Sequence, residues 1–217
     1  MKLAIFDLDH TLLHDDSDRG WNDFLVTLGV VDPEEHKANN ARWYHEYANG
    51  TLNIRDYNRW AFRLHREFGT AQVTQWRDQY VSEVTPTMVA KQTPAVLDGH
   101  RKNGDEILVI TATSLFIAGP IVKSLGIEHC LGLDNEVIDG EYTGEVIGIP
   151  TFQGGKVDAL NAWLNDRPAY ESTTFYSDSH NDLPLLQQVD HPVVVDGDER
   201  LLAHAKQHGW PSTSFRD

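Results

Sequence analysis

Cysteine is almost absent. Cys130 stands alone among 217 residues, so no intrachain disulfide and no multi-thiolate zinc site can form. A lone thiol reads as a small apolar filler rather than a nucleophile. Positive charge is scarce as well. The chain sets 18 lysines and arginines against 33 acids, and its formal net charge of −15 repels nucleic acid and anionic membrane surfaces at long range. Neither is expected as a partner. A small anionic substrate stays open, provided a cation or local basic groups reverse the field where it binds. Long apolar runs are missing too. Leu3 to Phe6 stops at Asp7, too short for a signal-peptide core, and no later stretch approaches membrane-spanning length. A cytoplasmic protein is expected, without repeats or low-complexity segments.

What remains is ordinary globular material, 40% apolar and 24% charged, enough for one good core or for a core domain with a smaller lobe. Leu3 to Phe6 has the length of one buried strand of a parallel sheet. Residues 15–85 then carry almost no strand signal. Helical spacing joins Trp21, Phe24, Leu25 and Leu28, then Ala41, Tyr44, Tyr47 and Ala48. Asn53 is a good N-cap for a helix running to Phe68, and a fourth helix spans about 71–81. Seventy such residues cannot be a structureless loop, and they read as a helical cap standing over the first strand's end.

From Thr85-Pro86 onward, helices alternate with short strands. A helix is expected over 89–102, a strand over 106–111, a helix over 115–125, and a short strand near Cys130 to Leu133. An Asp139-Gly140 hairpin, a helix from Gly154, strands at 173–176 and 193–195, and a last helix over 199–207 follow. The expected fold class is α/β, a Rossmann-like parallel sheet with helices on both faces and a mainly helical cap inserted after the first strand. The core domain is 1–14 with 86–217, and the cap is 15–85.

Ligands of such sheets bind at the carboxyl ends of strands, and the polar residues gather there. Asp7 and Asp9 follow the first strand, two residues apart, so an extended start aims them to one side. Thr111 closes its strand, where a hydroxyl and the free N–H groups of the next turn suit a phosphate oxygen. Lys156 sits at a helix N-terminus, where the dipole disfavours a cation, unless it reaches a phosphate or a carboxylate cluster. Asp178 and Asp182 follow a later strand, and one of them could serve as a helix cap. Two like charges 4 Å apart repel by ~4 kcal/mol at an effective dielectric near 20. Four converging acids therefore call for Lys156 or a dication, and hard carboxylates with water suit Mg²⁺.

Asp7-Leu-Asp-His-Thr-Leu, the strand ending at Thr111, Lys156, and Ser177-Asp178-Ser-His-Asn181-Asp182 resemble, in order and spacing, the four motifs of the haloacid-dehalogenase-like phosphohydrolases. The position of the helical insert, and Asp139-Gly140-Glu-Tyr-Thr-Gly144-Glu, resemble the phosphoserine-phosphatase-like and histidinol-phosphatase-like branch. Two stretches depart from it. Ser177-Asp178-Ser179 stands where Gly-Asp-Gly is frequent, and Thr111-Ala112-Thr113 stands where phosphoserine phosphatases usually have Ser-Gly-Gly. The resemblance implies an Asp7 nucleophile forming an aspartyl-phosphate, with Asp9 as general acid and base. It implies Mg²⁺ on Asp7, the Asp9 carbonyl and Asp178, with Asp182 supporting metal waters or Lys156. It also implies phosphoryl binding by Thr111, Ala112, Lys156 and Asn181. The substrate would be a small, amino-bearing phosphomonoester from amino-acid biosynthesis, with phosphoserine and histidinol phosphate the two candidates from this branch, and the enzyme a monomer or homodimer.

The cap adds two features with two readings each. Arg55, Arg59, Arg63 and Arg66 form a stripe on one helix, which is either a solvated face or a grip on a second anionic group, Arg55 and Arg59 being the candidates. Asp15, Asp16 and Asp18 either cap a helix or meet a substrate amine, for which Asp16 and Asp18 are the candidates. A phosphotransferase on the same fold stays open. A phospho-acceptor signalling module fits poorly, because the presumed acceptor lies on the first strand and a seventy-residue cap follows it.

Overall fold

The computed structural model describes all 217 residues. Strand β1 (Leu3–Phe6) is followed by a distorted helical turn, Leu8–Leu12. The cap contributes α1 (Ser17–Thr27), α2 (Pro33–Ala48), α3 (Ile54–Ala61), α4 (Arg63–Phe68) and α5 (Thr70–Glu83). The chain continues through α6 (Thr85–Met88), α7 (Thr93–Asn103), β2 (Glu106–Ser114), α8 (Leu115–Ser124) and the hairpin β3 (His129–Ile138) with β4 (Glu141–Ile147). It ends with α9 (Gly154–Leu164), β5 (Thr173–Ser177), α10 (Leu183–Leu186), β6 (His191–Val195), α11 (Glu199–His208) and β7 (Ser212–Thr213).

The seven strands form one sheet in the order β4-β3-β2-β1-β5-β6-β7, parallel except for β4. Central β1 sorts its side chains by parity. Leu3 and Ile5 join Phe175, Val194, Leu160 and Leu201 on the face covered by α9, α10 and α11. Ala4 and Phe6 join Val109, Leu97 and Ile117 on the face covered by α7 and α8. Trp21, Phe24 and Tyr80 of the cap belong to this second cluster, so the cap shares a core with the body.

Four boundaries differ from expectation. Strand β2 does not close at Thr111 but runs to Ser114, because β3 pairs with it again at Ser114–Leu133 after an irregularity beyond Ile110. The helix expected over 89–102 begins at Thr93, because the Pro94 ring would clash with the carbonyl four residues earlier in a longer helix. Val89 instead bridges Leu13, and the Ala90 N–H donates to the Leu12 carbonyl. The helix expected from Asn53 to Phe68 breaks at Phe62 (φ −86°, ψ 5°). There the Phe62 and His65 rings turn onto Phe116 and Tyr142. The two short strands expected on either side of residue 135 are one strand, β3. Its first part pairs with β2 and its second with β4.

Candidate active site

Because β1 lies between β2 and β5 in the sheet, the crossovers on its two sides diverge at its carboxyl end, and a crevice opens there. The register pairs Phe6 with both Val109 and Tyr176, so Asp7 and Asp178 leave neighbouring strands at nearly one level, and Thr111, still within β2, lies beside them. The Asp7 N–H donates to the Tyr176 carbonyl at 2.9 Å. The following turn is irregular, with Asp9 extended and His10 left-handed at φ 55°. Backbone held in a sparsely populated region clusters at functional sites. The Asp9 carboxylate accepts from the Ser17 N–H and from the Thr113 hydroxyl, both at 2.7 Å.

Lys156 is 2% exposed. Its Nζ donates to Asp7 Oδ1 at 3.0 Å and to Asp182 Oδ2 at 2.7 Å, and the Ser177 hydroxyl donates to the same Asp182 oxygen. This explains the cation at a helix start: its carboxylate partners outweigh the dipole. Gly155 permits the approach, since a Cβ there would lie 1.8 Å from the Pro150 carbonyl oxygen. The Thr111 hydroxyl accepts from the Thr113 N–H at 3.1 Å, and the Thr111 carbonyl accepts from the Thr151 hydroxyl at 2.7 Å. Asp178 takes a long bond of 3.3 Å from the Thr11 hydroxyl.

Burial first, then the charges of Asp182 and Asp9, raise Asp7 to about 7 although Lys156 opposes them. Burial, Asp7 and Asp182 lift Asp178 well above the usual carboxylate range. Lys156 is raised by the two carboxylates against its own burial. One ammonium thus serves three carboxylates, and the excess negative charge suits a hard dication. No three acidic or imidazole side chains close into a preformed cage. A cation that keeps its waters and takes substrate oxygens does not require one.

These residues line the floor of a cavity of about 500 Å³. Its upper wall belongs to the cap and includes Trp43, Tyr44, Tyr57, Asp16 and Asp18. The Tyr57 hydroxyl donates to Asp18 Oδ2 at 2.6 Å. Burial and the Asp16 charge raise Asp18 to about 7, and burial with the Asp9 charge raises Asp16 to about 6. Asp16 also caps α1 by accepting from the Asp18 and Arg19 N–H groups, which is the helix-cap reading of the acidic stretch, while its carboxylate lines the cavity as well.

Asp7, Asp9, Thr111, Ala112, Lys156, Asp178, Asp182, Asp16 and Asp18 therefore share one cavity. Three expected residues lie elsewhere. Asn181 turns away from the floor, donating to the Tyr47 carbonyl at 3.1 Å and accepting from Gln153. Arg55 donates to the Val146 carbonyl, and Arg59 pairs with Glu145 and Asp56. The helical period that makes the arginine stripe also points these two at the acidic β3–β4 hairpin. From sequence, Thr113 and Ser177 carry no role of their own, and Tyr57 reads as a ring that either stacks on a substrate or fills the cap's core, not as a partner of Asp18. Thr113 was legible in part, since strand alternation puts it on the same side as Thr111. The Tyr57–Asp18 bond, 39 positions apart in sequence, left no signal.

A parallel α/β sheet that gathers carboxylates from two separated strands around a buried lysine, under a helical cap, defines a phosphoryl-handling hydrolase. Residues 4–187 match the haloacid dehalogenase-like hydrolase family, and the chain belongs to that family. It is 37% identical over 219 residues to a histidinol-phosphatase of Neisseria meningitidis, with 99% of each chain covered. It is 29% identical over 147 residues to a phosphoserine phosphatase of Mycobacterium tuberculosis, covering 67% of this chain and 48% of that one. A crystal structure of a Bordetella pertussis protein of unknown function superposes with a TM-score of 0.91 at 34% identity, covering 99% and 98% of the two chains. A substrate-bound phosphoserine phosphatase superposes with a TM-score of 0.72 at 17% identity, covering 100% and 94%, a likeness of fold. The chain is a phosphatase.

Proposed function

We propose that this phosphatase is a Mg²⁺-dependent phosphomonoester hydrolase that works through an aspartyl-phosphate, with histidinol phosphate as its first candidate substrate. The observation that carries the chemistry is the buried Asp7 carboxylate, 3.0 Å from Lys156, with Asp9 oriented two residues on by Ser17 and Thr113. Asp7 attacks phosphorus, forming an O–P bond as the ester P–O bond breaks, while Asp9 gives a proton to the departing alkoxide. Asp9 then takes a proton from water, the water oxygen bonds to phosphorus, the Asp7–phosphorus bond breaks, and inorganic phosphate leaves. Lys156 holds Asp7 in place, and the Thr111 hydroxyl with the turn's N–H groups receives phosphoryl oxygens. When bound by Asp7, Asp178 and the Asp9 carbonyl, Mg²⁺ supplies neutralisation of the charge that develops on those oxygens.

Two features support an amino-bearing, ring-containing substrate. Asp18 and Asp16 provide negative charge on the upper wall, and Tyr44 and Tyr57 provide aromatic faces there. The full-length likeness to a histidinol-phosphatase points the same way. The test is a panel of histidinol phosphate, phosphoserine and acetyl phosphate assayed with Mg²⁺. Histidinol phosphate is expected to give the highest kcat/KM, and Asp7→Asn to lose about a thousandfold or more with circular dichroism unchanged. Normal turnover in Asp7→Asn would overturn the mechanism, and a preference for phosphoserine would overturn the substrate.

A further inference from the structure

Helix α2 roofs the cavity, yet of its 16 residues His36 and Trp43 alone are buried. An element that buries so little sits at the low end of local stability and opens unless something else fastens it. Within the cap, His36 meets Asp23 at 3.0 Å and Trp43 packs on Tyr57 and Trp60. The ties to the body are at the C-terminal end, where the Tyr47 ring meets Phe152 and most of the hydrogen bonds run from body side chains to main-chain carbonyls. Asn181 Nδ2 donates to the Tyr47 carbonyl at 3.1 Å, and Gln153 Nε2 donates to the Gly50 carbonyl at 3.2 Å. Gln153 Nε2 also donates to Asn181 Oδ1 at 3.1 Å, so the two side chains act as a pair. Arg200 reaches the Ala48 carbonyl at 3.4 Å, and the Tyr47 hydroxyl donates to Ser179 at 3.3 Å.

The chain positions of the pair matter. Gln153 caps α9 three residues before Lys156, with a backbone of φ 50° and ψ −123° that side-chain-bearing residues rarely adopt. Asn181 immediately precedes Asp182. Lys156 and Asp182 are themselves joined at 2.7 Å, so the pair connects the roof to the two loops that hold the charged floor. Neither Gln153 nor Asn181 lines the cavity.

We propose that Gln153 and Asn181 are positioning residues, forming a latch that seats the end of α2 on the loops carrying Lys156 and Asp182. A substrate large enough to touch the roof gains from a shut latch, whereas one confined to the floor does not. The inference rests on the phosphatase reading and not on which phosphomonoester is used.

Gln153→Met keeps the side-chain length and removes both donors. In that variant the amides of residues 47–52 are expected to exchange about fivefold faster or more, with global melting little changed. The kcat/KM for histidinol phosphate is expected to fall about tenfold through KM, while that for acetyl phosphate, too small to reach the roof, stays within about twofold. Adding Asn181→Leu should cost little more, because the two residues share one function. Unchanged exchange over 47–52, or an equal loss on both substrates through kcat, would overturn the latch. If the unaltered enzyme does not hydrolyse histidinol phosphate, the substrate reading fails while the exchange measurement still decides the latch.

Discussion

Asp18 shows how burial turns a surface residue type into a tuned group. Its rise from 3.8 to about 7 comes from desolvation first and the Asp16 charge second. An acid of this kind binds its proton more tightly in the folded than in the unfolded state. Its effect on stability is therefore most favourable below about pH 4, declines as pH climbs to about 7, and stays lowered above that. Asp18→Asn removes the titration and leaves an oxygen to accept from Tyr57. Its melting temperature is expected to exceed that of the unaltered protein at pH 8 and to match it near pH 4, in thermal scans at the two pH values. An ammonium beside the carboxylate would relieve the same penalty, so KM for an amino-bearing substrate should rise about tenfold in the variant at pH 8. Thr113 acts through Asp9. Removing its hydroxyl in Thr113→Val deletes a 2.7 Å bond to the proton-handling carboxylate, and steady-state kinetics should show kcat lowered about tenfold with KM nearly unchanged.

Among the elements, the β3–β4 hairpin is the anchor of the cap. Asn58, 1% exposed, donates to the Gly144 carbonyl at 2.7 Å and accepts from Asn135 at 3.0 Å, while Arg55 and Arg59 of the same helix are bound along β4. The hairpin turns at Asp139 and Gly140 with φ of 51° and 84°, both in the left-handed region that a tight turn between twisted strands demands. A Cβ at Gly140 would meet nothing within 4 Å, so Gly140→Ala carries a conformational cost and no clash. Urea unfolding should show a loss of about 1 kcal/mol with activity retained. The Asp-Gly dipeptide between alternating segments made this turn readable in advance, because its signal is local. The break of the third cap helix at Phe62 was not readable. It is imposed by aromatic contacts with Phe116 and Tyr142, which lie more than fifty residues away.

For the whole molecule, the electrostatic balance is what a ligand would change most. A chain of net charge −15 buries Asp7, Asp178 and Asp182 around one lysine, and burial first, then their mutual repulsion, lifts both Asp7 and Asp178 against it. A dication bound there stabilises the folded state by mass action, about 2.7 kcal/mol at a hundredfold excess over Kd. Millimolar Mg²⁺ is therefore expected to raise the melting temperature by several degrees. Asp178→Asn should abolish that shift, and EDTA should reverse it, with calorimetry as the readout. An unchanged melting temperature in Mg²⁺ would contradict the charge argument.

Much of this protein was legible in one dimension. The buried first strand, the alternation of helix and strand, the helical insert, and the carboxylates and lysine at strand and helix ends follow from spacing and residue type. These are properties of a segment and its immediate neighbours. Which carboxylate partners Lys156, where Asn181 and the cap arginines turn, how Thr113 grips Asp9, and how α2 is fastened were decided by the tertiary structure. Each of those depends on side chains from distant segments competing for the same donor or acceptor, and a hydrogen bond goes to whichever partner the assembled sheet and cap bring within reach.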